Sequence, residues 1–230
     1  MKLLALDTST DACSVALRIK GETTMDFRIA PRQHTDIILD MVDGLLQGAD
    51  MSLAELDAIA FGRGPGAFTG LRVAAGVVQG MAYGADLPVV PVSSLAALAQ
   101  AASNKHGVAR VMAVMDARMR EVYVGCFRRQ GDVMQLQGQE TVIAPDKLQL
   151  PQEHLWFGAG SGFAHYIEDL GRRAAEELAG IDDSLLPDAA SIAQLAEVEF
   201  NRGNVVSAEQ ALPVYIRDNV AVKPVMNKPV

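Results

Sequence analysis

The sequence predicts an α/β fold of two lobes, each built on a mixed β-sheet flanked by helices. The main observation is a pattern that occurs twice in the 230-residue chain. In the first copy an apolar run ends in Asp7, a polar turn follows, and a second apolar run lies at 13–17. In the second copy the run ending in Asp116 is followed by an apolar run at 122–127. Each copy is typical of a β-hairpin, so related hairpins open the two halves of the chain.

The first half continues as a mixture of strands and helices. Apolar residues at helical spacing, opposite a row of acidic ones, predict a helix over 35–47. The run Ser52-Leu53-Ala54-Glu55 has the pattern of a capping box and predicts a short helix. The predicted strands are 2–7, 13–19, 23–29, 57–62 and 87–92. Three successive strands, followed by helices that alternate with strands, indicate a mixed sheet covered by helices.

The second half repeats this order after a break in the apolar pattern. The polar run 103–107 places the lobe junction at 101–109, which divides the chain into an N-terminal lobe at 1–103 and a C-terminal lobe at 104–230. The tail beyond Pro213 is predicted to be extended. The predicted strands are 110–116, 121–129, 133–143 and 154–157, and the predicted helices are 161–178 and 191–201.

Composition excludes several classes of protein. A net charge of −8 argues against a chain that binds nucleic acid by itself, because such proteins need a basic face. Cys13 and Cys126 lie within predicted strands and form no CxxC motif, so they are interpreted as small buried hydrophobic residues in a reducing compartment. Apolar runs are shorter than the roughly 18 residues of a membrane span. We therefore expect a soluble, cytoplasmic, globular protein.

Two glycine-rich loops join a strand to a helix. In the first, at 61–72, the backbone N–H groups and the positive end of a helix could face an anion. The loop is neither a P-loop nor a GxGxxG motif, and the alternative is a tight turn that permits close backbone packing. The second loop, at 158–162, could face an adenine or a phosphate, or it could be a tight turn.

The predicted helix over 69–83 is unusual in its composition. Gly76, Gly80 and Gly84 lie on one line, and each interior glycine costs a helix about 1 kcal/mol relative to alanine. The rest of the helix is apolar almost all round, which predicts burial on every side, either by its own lobe or by a second chain. A protein–protein interface formed with the helix over 35–47 is the favoured interpretation, and an ordinary core helix is the alternative.

Catalytic motifs are mostly missing from the sequence. The four histidines are isolated, with no metal-ligand spacing, and there is no nucleophile elbow. Asp7 and Asp116 could flank a phosphate or its metal ion, or they could simply end their strands. Arg118 beside Asp116 could orient a phosphate or form a local ion pair.

Five segments carry a resemblance to a known family. They are Leu-Ala-Leu-Asp-Thr-Ser-Thr at 4–10, Gly-Pro-Gly-Ala-Phe-Thr-Gly-Leu-Arg at 64–72, Pro-Val-Ser-Ser-Leu at 91–95, Asp-Ala-Arg at 116–118 and Pro-Val-Tyr-Ile-Arg at 213–217. Together they closely resemble the bacterial TsaB (YeaZ) family, and the similarity covers almost the whole chain. The resemblance implies the duplicated fold of the actin-like ATPase (ribonuclease H-like) superfamily, in which a nucleotide cleft separates two lobes.

The resemblance also implies a function. TsaB proteins are partners of their paralogue TsaD, which transfers threonylcarbamoyl to the adenosine beside the anticodon of tRNA, and the ATPase TsaE completes the assembly. Ser94 and Leu98 would stand where TsaD has its metal-binding His-x-x-x-His pair, and neither can replace an imidazole ligand. The resemblance therefore implies a non-catalytic subunit with no metal and no required cofactor, which contacts tRNA only indirectly and no membrane.

Two sets of site residues follow from the resemblance. The first would bind a TsaD-like protein, or a second copy when the chain is alone, and comprises Ile37, Ile38, Met41, Leu45, Leu71, Arg72, Ala75, Gly76, Gln79, Gly80 and Tyr83. The second would be a vestigial nucleotide cleft with at most weak affinity for ATP or ADP, and comprises Asp7, Thr8, Ser9, Gly64, Gly66, Asp116, Arg118, Gly158 and Gly160.

An alternative function belongs to another class. A small-molecule phosphotransferase or ATPase could use the same cleft, with Asp7 and Asp116 around a metal ion and the loop at 62–70 near a phosphate. This alternative predicts metal-dependent ATP affinity and turnover, whereas a non-catalytic subunit would bind nucleotide weakly or not at all.

Overall fold

The computed structural model describes residues 1–151 and 155–217, and within these residues ten strands form two five-stranded sheets. The strands are β1 (Lys2–Asp7), β2 (Ala12–Ile19), β3 (Glu22–Ile29), β4 (Ala58–Gly64), β5 (Val89–Ser93), β6 (Arg110–Asp116), β7 (Val122–Gln130), β8 (Val133–Ile143), β9 (Phe157–Ala159) and β10 (Gly180–Asp182). The α-helices are α1 (His34–Gly48), α2 (Phe68–Ala85), α3 (Ser94–His106), α4 (Ser161–His165), α5 (Arg172–Glu177) and α6 (Ala189–Asn201).

The two sheets have the same topology. The first has the order β3-β2-β1-β4-β5, and the second has the order β8-β7-β6-β9-β10. In each, the first three strands along the chain are antiparallel neighbours and the last two run parallel to the first. This repetition confirms the predicted duplicated fold of two mixed sheets flanked by helices.

Helices and sheets alternate in layers. Helices α1 and α2 cover one face of the first sheet, and α6 covers the other face. Helix α3 packs on α6 and on the second sheet, whose far face carries α4 and α5. Helix α6 comes from the second half of the chain and yet covers the first sheet. The first sheet is therefore covered by helices from both halves of the chain. The division of the chain at residue 103 stays a prediction.

One helix was not predicted. The polar run 103–107, interpreted as a break in structure, is the end of α3, which continues to His106 and ends at Gly107 with φ +69°. A glycine in the left-handed conformation is a common helix terminator. The Ser93 hydroxyl begins the helix by accepting hydrogen bonds from the N–H groups of Leu95 and Ala96.

The predicted helix over 161–178 is wrong in detail. Tyr166, with φ −123°, ends α4, and a π-helical turn at Ile167–Gly171 leads into α5. Strand β10, which was not predicted, follows α5. The strand predicted at 154–157 begins at His154, which lies outside the described residues, and β9 forms instead at Phe157–Ala159 because these residues pair with β6.

Cys13 is buried as predicted, whereas Cys126 is buried only in part. Each is a free thiol whose pKa burial raises to about 11. Across the described part of the chain, none of the helices combines the length and apolar character needed to cross a membrane. The tail beyond Arg217 lies outside the described residues.

Candidate functional site

Strand β1 ends in a fully buried carboxyl group, that of Asp7, directly before the turn. Its Oδ1 accepts hydrogen bonds from the backbone N–H of Ser9 at 3.0 Å and from the Ser9 hydroxyl at 2.8 Å. Its Oδ2 has no hydrogen-bond partner among the described residues. Burial raises the pKa of Asp7 to about 7, opposed by the Ser9 hydrogen bonds and assisted by the charge of Asp188. Asp7 therefore holds a proton at pH values where an exposed carboxyl is ionised.

The first glycine-rich loop lies directly on this turn. A β-carbon on Gly66 would lie 2.5 Å from the carbonyl oxygen of Ser9, and one on Gly70 would lie 1.9 Å from that of Thr8. The Thr8 hydroxyl donates to the Gly70 carbonyl at 2.7 Å, and the Ala67 N–H donates to the Ser9 carbonyl at 2.7 Å. Of the two interpretations left open by the sequence, these contacts support the one in which the glycines permit close backbone packing.

Two earlier glycines of this loop are also constrained. A β-carbon on Gly62 would lie 2.0 Å from Oδ2 of Asp7. Gly64 has φ +109°, and a β-carbon there would lie 2.8 Å from the carbonyl oxygen of Val214. The loop is thus packed between the β1 turn and the C-terminal segment.

The matching strand of the second sheet, β6, ends in Asp116, whose carboxylate oxygens already have hydrogen-bond and ion-pair partners. Its Oδ1 accepts from the Tyr166 hydroxyl at 2.9 Å and from the Arg118 N–H at 2.9 Å, and its Oδ2 lies 3.3 Å from the exposed Arg118 guanidinium. Burial, followed by the hydrogen bond to Asp116, raises the pKa of Tyr166. Among the described residues no hydrogen bond or ion pair joins Asp116 to Asp7.

The second glycine-rich loop is packed in the same way as the first. Gly160 has φ +108°, and a β-carbon there would lie 2.5 Å from the carbonyl oxygen of Val114 and 2.6 Å from Cδ2 of Leu98. A β-carbon on Gly158 would lie 2.9 Å from the ring of Phe163. These contacts also support a packing role for the glycines.

A C-terminal strap, residues 211–217, crosses from the first lobe to the second. Gln79 on α2 donates to the carbonyl of Ala211 at 3.2 Å, and the Val214 N–H donates to the carbonyl of Arg63 at 2.8 Å. At its far end the Arg217 guanidinium donates to the carbonyl of Ala117 at 3.1 Å, and also to that of Arg118 and to the carboxylate of Glu121. The strap was predicted only as an extended tail, because its contacts lie between 96 and 151 residues away in sequence.

The start of α3 contains a contact that the sequence did not indicate. The Ser93 hydroxyl donates to the carboxylate of Glu140 on β8, so the two sheets are joined here. Burial raises the pKa of Glu140, opposed by this hydrogen bond and by the charge of Arg63. Ser94 and Leu98, the residues at the positions of the TsaD histidines, are both fully buried. Within residues 1–151 and 155–217, no group of three or more His, Cys, Asp or Glu residues could hold a metal ion.

The eleven predicted partner-binding residues on α1 and α2 differ in exposure. Four have side chains buried within the chain's own core: Ile38, Met41, Leu71 and Ala75. The others are partly buried or exposed: Ile37, Leu45, Arg72, Gly76, Gln79, Gly80 and Tyr83.

The chain's own lobe does not bury α2 on every side, and burial of the rest of the helix by a second chain stays a prediction. One face of the helix is in the core, where Ala74, Val78 and Ala82 are buried. On another face, a β-carbon on any of the three glycines would have no described atom within 4 Å: Gly76, Gly80 and Gly84. Leu39 on α1 and Tyr83 on α2 are 53% and 75% exposed. This exposed side of α1 and α2 is here called the helical face.

An aromatic contact joins the strap to the start of α2. The rings of Phe68 and Tyr215 lie 5.6 Å apart, and the Arg72 guanidinium lies 3.3 Å from the centre of the Phe68 ring. A cation above an aromatic ring is attracted by its quadrupole. The contact holds the side chain of Arg72, a predicted partner-binding residue, beside the strap.

The duplicated sheets and the paired turns define the class of this protein as the actin-like ATPase (ribonuclease H-like) fold. Residues 28–224 match the family model described as "TsaD: tRNA N6-adenosine threonylcarbamoyltransferase". Two relatives are described as "tRNA threonylcarbamoyladenosine biosynthesis protein TsaB". The one from Haemophilus influenzae is 43% identical over 97% of this chain and 96% of its own, and the one from Escherichia coli is 40% identical over 99% and 100%.

A solved structure is similar to this chain in both sequence and fold. The structure named "YeaZ from Pseudomonas aeruginosa" is 49% identical to this chain, covers 93% of it and 99% of its own chain, and superposes with a TM-score of 0.88. The chain therefore belongs to the TsaB (YeaZ) family.

Proposed function

We propose that this chain is the non-catalytic partner subunit of a TsaD-like protein in the formation of threonylcarbamoyladenosine in tRNA. The observation that carries this proposal is the helical face of a chain whose relatives are described as proteins of that biosynthesis. The TsaD-like paralogue would perform the transfer, and this chain would raise its rate by binding to it.

The geometry of α2 supports a helix as the contacting element. Gly76, Gly80 and Gly84 repeat every four residues on the open side of the helix, so a second helix could approach its backbone closely. Interior glycines weaken an isolated helix, and packing of a partner along their line would offset that cost. Tyr83, next to Gly84 on α2, and Leu39 on α1 would supply exposed apolar contacts to the partner.

The surroundings of Leu98, Ala67 and Thr8 support a non-catalytic role. Leu98 is fully buried in an apolar cluster with Met115 and Ala159, which is an unsuitable environment for a metal ion. The N–H of Ala67 and the hydroxyl of Thr8 already donate to carbonyl groups of the chain itself, so neither is free to bind phosphate. We therefore propose no required cofactor, and at most weak binding of ATP or ADP.

The proposal extends to the assembly. A TsaE-like ATPase would join the pair in a larger complex, and tRNA would be held by the partner, in keeping with the net charge of −8 on this chain. In the absence of the TsaD-like protein, two copies would pair through the same helical face.

The test is a binding measurement with the TsaD-like protein of the same organism. Size-exclusion chromatography with light scattering is expected to show a one-to-one complex, which the double variant Gly76→Leu, Gly80→Leu abolishes. Because leucine is a better helix former than glycine, these substitutions should not unfold α2. The matched control is Glu176→Leu, which adds a leucine to an exposed position of α5, on the far face of the second sheet.

The same proteins separate the two candidate functions. Reconstituted transfer of threonylcarbamoyl to tRNA should require both proteins and should fail with the double-leucine variant. A double-leucine variant that binds and activates as well as the control would contradict the proposed surface. Metal-dependent ATP turnover by this chain alone would instead support the phosphotransferase alternative.

A further inference from the structure

Strand β3 lies at the edge of the first sheet and has an unusually apolar side. It pairs with β2, and no other strand of the described residues lies beyond it. Three alternate residues place large apolar side chains on one face of the strand: Met25, Phe27 and Ile29 are 40%, 39% and 62% exposed. Proteins usually protect such an edge, because its free N–H and C=O groups invite another strand.

The hydrogen bonds to β2 decide which backbone groups of β3 are free. The Ala30 N–H donates to the carbonyl of Asp11, so residue 30 directs its backbone groups toward β2. In an antiparallel pair this direction alternates along the strand, and the register pairs Ile29 with Ala12 without a bulge. Met25, Phe27 and Ile29 therefore direct their N–H and C=O groups to the open edge.

The sequence of β3 is complementary to itself in the antiparallel direction. When Phe27 is placed opposite Phe27 of a second copy, Met25 faces Ile29 and Asp26 faces Arg28, each twice. The odd-numbered residues then form the hydrogen-bonded pairs, as their outward backbone groups require. The Arg28 guanidinium already donates to the Asp26 carboxylate of its own strand. At the closer, non-hydrogen-bonded pairs each Asp26 would in addition face the Arg28 of the second copy, where opposite charges stabilise a sheet.

We propose that β3 pairs with β3 of a second copy in this register, which joins the two first sheets into one continuous sheet. Neighbouring registers do not fit. If one strand shifts by one residue along the other, residues whose N–H and C=O groups point to the open edge would face residues whose groups point back to β2. A slip in either direction by two places Asp26 opposite Asp26, or Arg28 opposite Arg28, and like charges directly opposite destabilise a sheet. The contact is separate from the helical face and does not depend on the proposed function.

Disulfide trapping tests the register. In the Phe27→Cys variant the two new cysteines would have Cα atoms about 5.5 Å apart, within the range that a disulfide spans. In the control variant Thr24→Cys the corresponding atoms would be roughly 20 Å apart, because Thr24 faces residue 30 of the second copy. Mild oxidation with diamide should give a covalent dimer of the first variant alone. Equal cross-linking of both variants, or of neither, would overturn the proposal.

Charge reversal tests the pairing without a covalent bond. The experiment uses the Gly76→Leu, Gly80→Leu variant as its parent, because these changes block pairing through the helical face. Asp26→Arg and Arg28→Asp each place like charges opposite one another in a homodimer, so each change should give a monomer at about 100 μM by sedimentation equilibrium, where the parent forms dimers. An equimolar mixture of the two variants restores opposite charges and should give a heterodimer.

Two outcomes of the charge-reversal experiment would overturn the proposal. One is a mixture that stays monomeric. The other is a Gly76→Leu, Gly80→Leu parent that is itself a monomer at this concentration, because that result would leave only the helical face to pair two copies.

Discussion

Replacing Asp7 with asparagine is expected to change how the free energy of unfolding depends on pH. The Asp7 carboxyl is fully buried, and its pKa is raised from 3.8 to about 7 in the native state. Between these two values the native chain binds more protons than the unfolded chain, so Asp7 makes stability decrease as pH rises. The loss begins near pH 4 and is complete above pH 7.

The size of the effect follows from the two pKa values. Their difference of about 3 corresponds to a total of about 4 kcal/mol. Between pH 5 and pH 8 the expected loss is about 2.5 kcal/mol for the wild type. Asparagine does not titrate, so its own cost or gain at this site is the same at every pH. The stability of Asp7→Asn relative to the wild type should therefore increase by about 2.5 kcal/mol over this range.

Urea unfolding followed by circular dichroism measures this difference. With an m-value of about 2–3 kcal/mol/M, the midpoint of the variant should move relative to the wild type by roughly 1 M between pH 5 and pH 8. All other titrating groups are common to both proteins and largely cancel. A difference between the two midpoints that stays constant from pH 5 to pH 8 would refute the claim that burial holds Asp7 protonated.

Two further predictions concern packing. Gly62→Ala should destabilise the chain by about 3 kcal/mol, because its β-carbon would lie 2.0 Å from Asp7 Oδ2. Its control, Gly84→Ala, meets open space and should stabilise α2 by about 0.5–1 kcal/mol. Equal thermal unfolding temperatures for the two variants would contradict this prediction. Arg217→Met should lower the free energy of unfolding by about 2 kcal/mol, because the Arg217 guanidinium donates to the carbonyls of Ala117 and Arg118. It should also speed amide hydrogen exchange in the turn at 117–121. Unchanged exchange in that turn would argue against the strap as a link between the lobes.

Local pattern predicted the elements whose signal is contained in a short stretch of sequence. The alternation of apolar and acidic residues gave the bounds of α1 to within one residue, and the two hairpins predicted the duplicated sheets. Helix α3 was missed because its sequence is rich in alanine and ends in polar residues, so it carries little periodicity. The break after α4 was missed because the apolar pattern continues through Tyr166 although its backbone does not stay helical.

The candidate site also has features that the sequence predicted and features that only the structure shows. The sequence alone placed Asp7 and Asp116 at matching turns and marked the glycine loops as special. It left open what each glycine does, and only the folded chain separates Gly66, which packs on the backbone of Ser9, from Gly76, which faces open space. Glu140 carried no sequence signal, because its contact with Ser93 depends on how the two sheets are placed.

The sequence by itself therefore determined the duplicated architecture and the family, since hydrophobic spacing and the specific segments are properties of neighbouring residues. Tertiary structure decided the raised pKa of Asp7, the exposure of the helical face and the free edge of β3. Each of these depends on desolvation or contact between residues far apart in the chain, and a local pattern does not record which distant groups meet.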